Sequence, residues 1–570
     1  MIKKQTTMMS KIIIYQVLPR LFGNTNDTRK KNGTLKENGV GKFSDFDEKA
    51  LTEIKNMGFT HIWYTGVLEH ATQTDYSKQG IKKDHPDVVK GIAGSPYAIK
   101  DYYDICPDFA DKVANRIDEF EELIKRTHEA GMKVIIDFVP NHVARQYASD
   151  RRPEGVKDFG EEDNQNVSFA PSNNFYYCPN QRLELGFVDV YRKGGYLESP
   201  AKVTGNDCFS NKPSVNDWYE TVKLNYGVDY QNWRAQHFDP IPNTWTKMEQ
   251  ILLYWVDKGV DAFRCDMMEM VPVEFWAWLI PRIKEKDRNI LFIGEAYDNG
   301  LYGNYIFNGK FDYLYDKVDL YDTIRDIICG HRPTSDITFS WQRVEHVQKH
   351  MLNFLENHDE QRIASDFFAG NAEKAIPAMH VLSFMNTNPL MVYFGQELGE
   401  KGMDEEGFSG RDGRTTIFDY WSVDSVMKWR SGGKYDGKGL SKEQKNLRKQ
   451  YVATLKLAGT EECITQGQFY DLMYANYENI DFDSTKQYCF LRCYNNSLLL
   501  VVSNFSDQKV DVKVNIPQEA FEYLNVDSKK IKTAKDLLKN KKVNLADFDG
   551  NVMPVSVDAY DSIVVKFTQK

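Results

Sequence analysis

The stretch VDAFRCD at residues 260–266 shows the pattern that decides the fold: a short apolar run that ends in charged residues. A run of this length, bounded by turn residues, is typical of a strand that is buried on both faces of a parallel sheet. Seven similar runs lie at residues 12–18, 61–68, 133–140, 290–295, 311–314, 351–356 and 390–395. The sequence therefore predicts eight strands of one kind.

Most of these strands are preceded or followed by a stretch of helical periodicity. Residues 115–130, for example, place their apolar side chains on one stripe, and Gly131 follows as a typical helix stop. Alternating strands and helices indicate an α/β protein with a parallel sheet, and eight repeats predict a closed (β/α)₈ barrel.

Two departures from the repeat predict further units. The third and fourth strands start at residues 133 and 260, a separation that is far too long for one crossover. We therefore predict a barrel in two parts, residues 1–143 and 243–460, with an inserted subdomain at residues 144–242 after the third strand. The strand-like residues 488–502, 510–514 and 561–567 predict a C-terminal antiparallel β-sandwich over residues 461–570.

Composition and charge narrow the possible partners. Apolar residues make up 41% and charged residues 27% of the chain, and the net charge of −10 is spread along it, so nucleic acid and anionic membranes are poor candidate partners. No apolar run approaches the ~18 residues of a membrane span. Eight scattered cysteines and the lack of a secretory signal predict free thiols and a cytoplasmic protein, or a secreted or periplasmic one if the chain was trimmed. The oligomeric state is left open.

Three carboxylates lie at the carboxyl ends of the fourth, fifth and seventh predicted strands, where barrel enzymes assemble their active sites: Asp266, Glu295 and Asp359. Glu295 ends an apolar strand, whose surroundings we expect to disfavour its charged form, as a general acid requires. Arg264 lies two residues before Asp266 on the same strand face and should keep that carboxylate ionised, as a nucleophile requires. A neutral acid beside an ionised carboxylate is the pair that cleaves glycosides by double displacement.

The surrounding residues suit a sugar. His142 and His358 follow the third and seventh strands and can donate hydrogen bonds to a sugar ring, while Asp359 can bind its hydroxyl groups. Tyr97, in the loop after the second strand, can stack on the apolar face of the ring.

Four segments resemble, in order, the sequence regions of the α-amylase family of glycoside hydrolases. They are DFVPNH at residues 137–142, GVDAFRCD at 259–266, GEA at 294–296 and ENHD at 356–359. The resemblance covers nearly the whole chain, since the barrel, the insertion and the β-domain all fit it.

The resemblance implies a role for each residue. Asp266 is the nucleophile, Glu295 the acid and base, and Asp359 the stabiliser of the transition state. Arg264 orients the nucleophile, and the sugar is bound by Tyr97, His142, His358 and, in the segment GRDGR, Arg414. Asn141 matches a position that binds a structural calcium ion in many members, and no organic cofactor is implied.

The implied activity is that of a retaining α-glycoside hydrolase acting on α-1,4-linked starch fragments or malto-oligosaccharides. A 4-α-glucanotransferase or a cyclomaltodextrinase or neopullulanase type of activity uses the same glycosyl-enzyme and stays open, because Glu269 and Met270 stand where many amylases have Lys-His. A non-catalytic carbohydrate-binding barrel would lack at least one of the three carboxylates, and all three are present.

Overall fold

A computed structural model describes residues 11–569 of the chain. Eight parallel strands close into a barrel in the order β1-β8-β7-β6-β5-β4-β3-β2, which confirms the predicted (β/α)₈ fold. These strands are β1 (Ile13–Val17), β2 (His61–Tyr64), β3 (Lys133–Phe138), β4 (Ala262–Cys265), β5 (Leu291–Gly294), β6 (Tyr313–Tyr315), β7 (Met351–Phe354) and β8 (Leu390–Tyr393).

Helices of seven residues or more flank the barrel strands and pack on them through their buried faces. They are α1 (Glu48–Met57), α2 (Arg116–Glu129), α3 (Asn243–Asp257), α4 (Val273–Lys286), α5 (Asp322–Ile328), α6 (Asp336–Arg343), α7 (Ile376–Phe384), α8 (Asp424–Arg430) and α9 (Lys442–Thr460). In α1 the Asp47 side chain accepts a hydrogen bond from the Ala50 amide and begins the helix, and Gly58 ends it at a φ of +112°.

The ladder of the barrel stops short of several predicted strand ends. Residues 61–68 were predicted as one strand, but the chain turns at Gly66, whose φ of +70° suits glycine. The following strand, Leu68–His70, pairs antiparallel with Ile99–Ile105 outside the barrel. Asp266 and Glu295 likewise lie one residue beyond β4 and β5. Side chains at these positions face the mouth of the barrel instead of its packed interior.

The insertion leaves the barrel directly after β3. Its strand His142–Ala144 pairs with Thr221–Lys223, and further short ladders join Tyr177–Cys178 to Ala201–Lys202 and Val228–Asp229 to Ala235–Gln236. A small apolar cluster of its own lies in this region, formed by Val88, Cys178, Leu183, Leu185, Val190, Tyr196 and Ala201. The chain returns to the barrel at α3.

The C-terminal part is antiparallel, as predicted. A sheet of six strands runs in the order β9-β10-β11-β16-β13-β14, and a separate pair joins β12 and β15. The strands are β9 (Gln468–Asp471), β10 (Gln487–Tyr494), β11 (Ser497–Asn504), β12 (Val510–Asn515), β13 (Ile531–Asp536), β14 (Lys541–Val543), β15 (Val552–Val557) and β16 (Asp561–Gln569). Buried Arg492 links this part to the barrel, since it donates hydrogen bonds to the carbonyl oxygens of Met385 and Gly467.

All eight cysteines of the sequence lie within the described residues and are free thiols, as predicted. Among the helices of residues 11–569, none has the length and apolar character needed to cross a membrane. The expectation about a secretory signal concerns mainly the first ten residues and lies outside the described part of the chain.

Candidate active site

The mouth of the barrel holds a cavity of ≈ 220 Å³ at the carboxyl ends of its strands. Asp266, Glu295 and Asp359 all lie in its wall, together with the predicted sugar-binding residues Tyr97 and His142. Further wall residues come from the insertion and from the loops after β5 and β8, among them Trp218, Tyr297, Phe408 and Phe418. The cavity therefore combines carboxylates with aromatic surfaces, which suits a sugar ring.

The register of two neighbouring strands brings the first two carboxylates together. In the parallel pair β4–β5, Arg264 lies opposite Ile293 and Cys265 opposite Gly294. The next residues in the two strand directions are Asp266 and Glu295, and the Glu295 amide continues the ladder by donating to the Cys265 carbonyl oxygen over 3.1 Å. The two carboxylates thus leave adjacent strand ends side by side.

One buried guanidinium binds both carboxylates. Arg264, 1% exposed, donates from Nη1 to Asp266 Oδ1 over 2.8 Å, and its Nη2 lies 2.7 Å from Glu295 Oε1. Asp137 Oδ1 lies 3.7 Å from Nη1 and adds a third negative charge. Asp137 is itself held in place, because its Oδ2 accepts hydrogen bonds from the Gly66 amide (2.8 Å) and from the indole of Trp63 (3.2 Å). Asp137 is therefore a fixed, buried anionic partner of Arg264.

The surroundings of Glu295 are polar, so the expectation of apolar walls around it was wrong. Its Oε1 accepts a hydrogen bond from the Tyr297 hydroxyl over 3.0 Å, and its Oε2 accepts one from the Met267 amide over 2.9 Å. The physical reason is its position one residue beyond the strand, where it faces the cavity and Arg264 rather than the apolar neighbours of β5. Its carboxylate form is well provided with donors.

Arg264 contacts Asp266 as expected, but it is not the only influence on the protonation of this carboxylate. Burial raises the pKa of Asp266 well above its usual value, and the negative charge of Glu295 raises it further, against the opposing effect of Arg264. Because a single guanidinium serves two carboxylates, the pair retains a proton to higher pH than separate carboxyl groups would. The reactive form of the pair is the one in which this proton is on Glu295 and Asp266 is ionised.

A strained backbone directs one of the donors to Glu295. Met267 has a φ of +42°, in the left-handed region that a residue with a side chain rarely adopts. This conformation turns the chain directly after Asp266 and points the Met267 amide at Glu295 Oε2. Strain of this kind persists at functional sites. No pattern in the sequence indicates this turn, because methionine is not a typical turn residue.

Asp359 belongs to a second group of side chains in the cavity wall, which gathers around the loop after β7. Its Oδ2 lies 3.0 Å from His358 Nε2, and the Tyr97 hydroxyl bonds the same nitrogen while its ring stacks on the imidazole. The side-chain amide of buried Gln16, from β1, bonds His358 Nδ1 over 2.8 Å and so orients the ring. Although burial opposes ionisation, the charge and hydrogen bond of His358 lower the pKa of Asp359. Gln16 was missed because an isolated glutamine in an apolar strand carries no sequence signal.

His142 is a neutral hydrogen-bonding group in the wall. Burial, and next the positive charge of Lys223, lower the pKa of His142 to about 3. Its ring lies against Trp218 with a centroid separation of 5.2 Å.

The residues around Asn141 do not fit the calcium ion that the resemblance implies. Asn141 Oδ1, the atom that would bind the ion, already accepts a hydrogen bond of 2.8 Å from the Lys223 ammonium, which is buried and also lies 2.6 Å from Asp207 Oδ1. The side-chain nitrogen Nδ2 of Asn141 donates to the Gly205 carbonyl oxygen over 2.8 Å. A monovalent side-chain cation thus holds this junction between barrel and insertion, and the expectation for Asn141 is corrected accordingly.

Arg414 lies behind the cavity wall. Its guanidinium packs over the ring of Phe408, 5.2 Å from the centroid, and its Nη1 is 3.8 Å from Asp412 Oδ2. Phe408 is in the wall, but Arg414 is not among the lining residues. Its charge does reach the site, since it lowers the pKa of Asp359 after the larger effects of burial, His358 and Arg264. The structure therefore does not bring Arg414 to the cavity as a direct sugar ligand.

Comparison with known proteins agrees with this site. Residues 16–448 match the family model described as the α-amylase catalytic domain. The chain is 23% identical over 411 residues to α-amylase 3 of Dictyoglomus thermophilum, covering 68% of this chain and 64% of that protein. It is 25% identical over 449 residues to an α-amylase of Streptomyces lividans, covering 69% and 44%. The match thus spans less than two thirds of the length of these relatives.

Solved structures share the fold over nearly the full chain. A maltogenic α-amylase from Thermotoga neapolitana has a TM-score of 0.62 and 20% identity, covering 99% of this chain and 100% of that one. An α-amylase from Geobacillus thermoleovorans, solved with acarbose, has a TM-score of 0.62 and 19% identity, covering 98% of each chain.

The raised pKa of Asp266 predicts the pH profile of catalysis. This shift arises while Glu295 is ionised, so it describes the loss of the last proton of the pair, which the reactive form must keep. On the alkaline side kcat/KM should therefore fall only at a pH well above the value of about 3.9 for an unperturbed aspartate. The measurement is kcat/KM for an aryl α-maltoside between about pH 3 and 9. Circular dichroism over the same range checks that the protein stays folded. An alkaline limb at or below about pH 4, in protein that stays folded, would contradict the shared-proton pair.

The Lys223–Asn141 contact predicts a loss of stability in Lys223→Met. The substitution keeps the apolar stem but leaves the buried Asn141 oxygen without a donor, so the free energy of unfolding should fall by about 2–4 kcal/mol in urea titrations. Lys193→Met, at an exposed position of the same insertion, is the matched control and should stay within about 0.5 kcal/mol of the parent. Equal stability of the two variants would show that the ammonium does not hold this junction.

Proposed function

The chain belongs to the α-amylase family, and from this we propose that it is a retaining α-glycoside hydrolase that cleaves α-1,4-glucosidic bonds in starch-derived glucans or malto-oligosaccharides. The observation that carries the proposal is the pairing of Asp266 and Glu295 on the two terminal nitrogens of Arg264, with Asp359 in the wall of the same cavity. The α-amylases among the similar proteins support an α-glucan as the substrate.

The substrate binds with one glucosyl ring between the two groups of side chains. Tyr97 offers its ring face, and neutral His142 offers a hydrogen bond that carries no charge. Asp359 takes the ring hydroxyl groups and is held in place by His358, whose two ring nitrogens are already engaged with protein groups. The lowered pKa of Asp359 keeps it an acceptor at neutral pH. Hydrogen bonds of this kind strengthen as the ring flattens towards the oxocarbenium-like transition state.

In the first step Glu295 gives its proton to the glycosidic oxygen while an Asp266 oxygen attacks the anomeric carbon. The bond from that carbon to the leaving sugar breaks, and the leaving sugar departs with the proton. An ester now joins Asp266 to the glucosyl unit. The charge of Glu295 that develops in this step is met by Arg264, the Tyr297 hydroxyl and the Met267 amide, all of which are in place beforehand.

In the second step the roles reverse. The Glu295 carboxylate takes a proton from a water molecule, whose oxygen attacks the anomeric carbon and releases the Asp266 carboxylate. Two inversions at one carbon leave the product in the α configuration.

The choice between water and a sugar acceptor depends on the far side of the cavity. Glu269 stands where many amylases have lysine, and its carboxylate accepts hydrogen bonds from the amides of Tyr297 (3.0 Å) and Asp298 (2.9 Å). We propose that it fixes the loop after β5 rather than binding an acceptor sugar. A product profile on starch, pullulan, cyclodextrin and maltotriose separates these activities. Glucanotransfer yields products longer than the substrate, whereas neopullulanase-type action degrades pullulan or cyclodextrin.

The remaining expectations on context stay predictions. A cytoplasmic location is supported by eight free thiols, which suit a reducing compartment. The net charge of −10 supports a neutral glucan, rather than nucleic acid, as the partner.

Replacing the acid tests the proposed function. Glu295→Gln keeps the size and the hydrogen-bonding shape of the side chain but cannot supply the proton, so kcat on maltoheptaose should fall by about 10³-fold or more. Binding of maltoheptaose, measured by calorimetry, should survive. Glu285→Gln, at an exposed position of α4, is the matched control and should keep the parent rate. Near-normal turnover by Glu295→Gln would remove the assignment.

A further inference from the structure

A second carboxylate cluster lies away from the active site, where the hairpin after β2 meets the start of the insertion. Glu69 and Asp101 are direct partners across the antiparallel pair Leu68–His70 and Ile99–Ile105. Asp104, from the same strand, and Asp150, from the insertion, complete the cluster, and one oxygen of each of the four carboxylates lies within 4.8 Å of the others. Like charges placed directly opposite on a ladder are destabilising unless something lies between them.

Glu69 is the unusual member, because its carboxylate has no hydrogen-bond donor in the described part of the chain. Its side chain is 1% exposed, and neither carboxylate oxygen accepts a hydrogen bond from any group within residues 11–569. The nearest ammonium, that of Lys100, is 3.9 Å away and is engaged with Asp84 at 3.1 Å. An ionised carboxylate is very costly to bury without partners, so its place calls for a ligand from outside the chain.

The neighbouring cations do not balance the other carboxylates. Arg116 pairs with Asp104 and lies 3.2 Å from Asp150, while Arg151 reaches Asp104 only at 4.0 Å with its side chain half exposed. Asp101 accepts hydrogen bonds from backbone amides, among them those of Asp150 (2.9 Å) and Arg151 (3.0 Å), but it has no cationic partner of its own among the described ion pairs. Four carboxylates, of which all but Asp150 are buried, therefore face Arg116, the distant Lys100 and the half-exposed Arg151, which leaves an excess of negative charge.

We propose that Glu69, Asp101, Asp104 and Asp150 bind a hard divalent cation, Ca²⁺ or Mg²⁺. Carboxylate oxygens are the ligands that these cations prefer, and Ca²⁺ tolerates the irregular geometry that a cluster shared with Arg116 imposes. The bound ion joins the hairpin, the strand that follows it and the first turn of the insertion. It thereby stiffens the root of the insertion, which supplies Trp218 and Thr221 to the wall of the active-site cavity. The site is separate from the Asn141–Lys223 junction.

A proton is the competing occupant. Burial, and next the negative charge of Asp150, raise the pKa of Glu69 well above its usual value.

The test uses the full chain, treated with a chelator and desalted, and adds CaCl₂ or MgCl₂ separately. With either salt at about 5 mM, the midpoint of thermal unfolding should rise by about 2 °C or more. Tb³⁺ should bind once per chain with luminescence sensitised by tyrosine, since the Tyr103 amide bonds Asp101. Competition by Ca²⁺ and by Mg²⁺ tells which ion the site prefers.

Variants decide whether the response comes from this cluster. Glu69→Gln removes the repulsion across the ladder, so without metal it should unfold no earlier than the parent, while its Tb³⁺ affinity falls by at least about 10-fold. Asp150→Asn, at a partly exposed member, serves as a second variant with the same expected loss. Glu154→Gln, exposed in the same loop, should respond like the parent. No shift with either salt and no stoichiometric Tb³⁺ in the parent, or an unchanged response in Glu69→Gln and Asp150→Asn, would overturn the proposal.

Discussion

The contact on which the rest of the site depends is the pairing of one buried guanidinium with two carboxylates. Arg264 is almost inaccessible to solvent, and a buried charge of this kind is tolerated only where opposite charges meet it. Adjacent parallel strands supply those charges in register, because Asp266 and Glu295 follow residues that face each other on β4 and β5. The contact that offsets the cost of burying the Arg264 charge also holds the two reacting carboxyl groups side by side and couples their protonation. Structure and reactivity therefore rest on one arrangement.

The strands and the identity of the carboxylates could be predicted from the sequence, because both depend on local pattern. Short apolar runs mark the eight strands, and the charged residues that end or follow several of them mark the barrel mouth. The environment of each carboxylate could not be predicted, because its partners are distant in the chain. Lys223 is 82 residues from Asn141, and Gln16 is 342 residues from His358. The left-handed turn at Met267 is also imposed by tertiary contacts, since methionine has no preference for it.

Charge compensation by side chains is a recurring feature of the buried polar groups. Arg264 serves the active site, Lys223 holds the junction for which the sequence resemblance implies a calcium ion, and Arg492 binds carbonyl oxygens between the barrel and the C-terminal sheet. Glu69 stands out against this background because its carboxylate has no such donor within the described part of the chain. A buried carboxylate without a cationic or hydrogen-bonding partner indicates a ligand site more specifically than a group of acidic residues does.

The most direct measurement of the central claim identifies the residue that becomes attached to the sugar. Glu295→Gln should react with α-maltosyl fluoride, because fluoride departs without a proton, and should then stall because no base activates water. Intact-mass and peptide analysis should find a single maltosyl ester, located on Asp266. A label on Asp359 or elsewhere, or turnover of the fluoride without any labelled enzyme, would contradict the account in which Arg264 pairs the acid with its nucleophile.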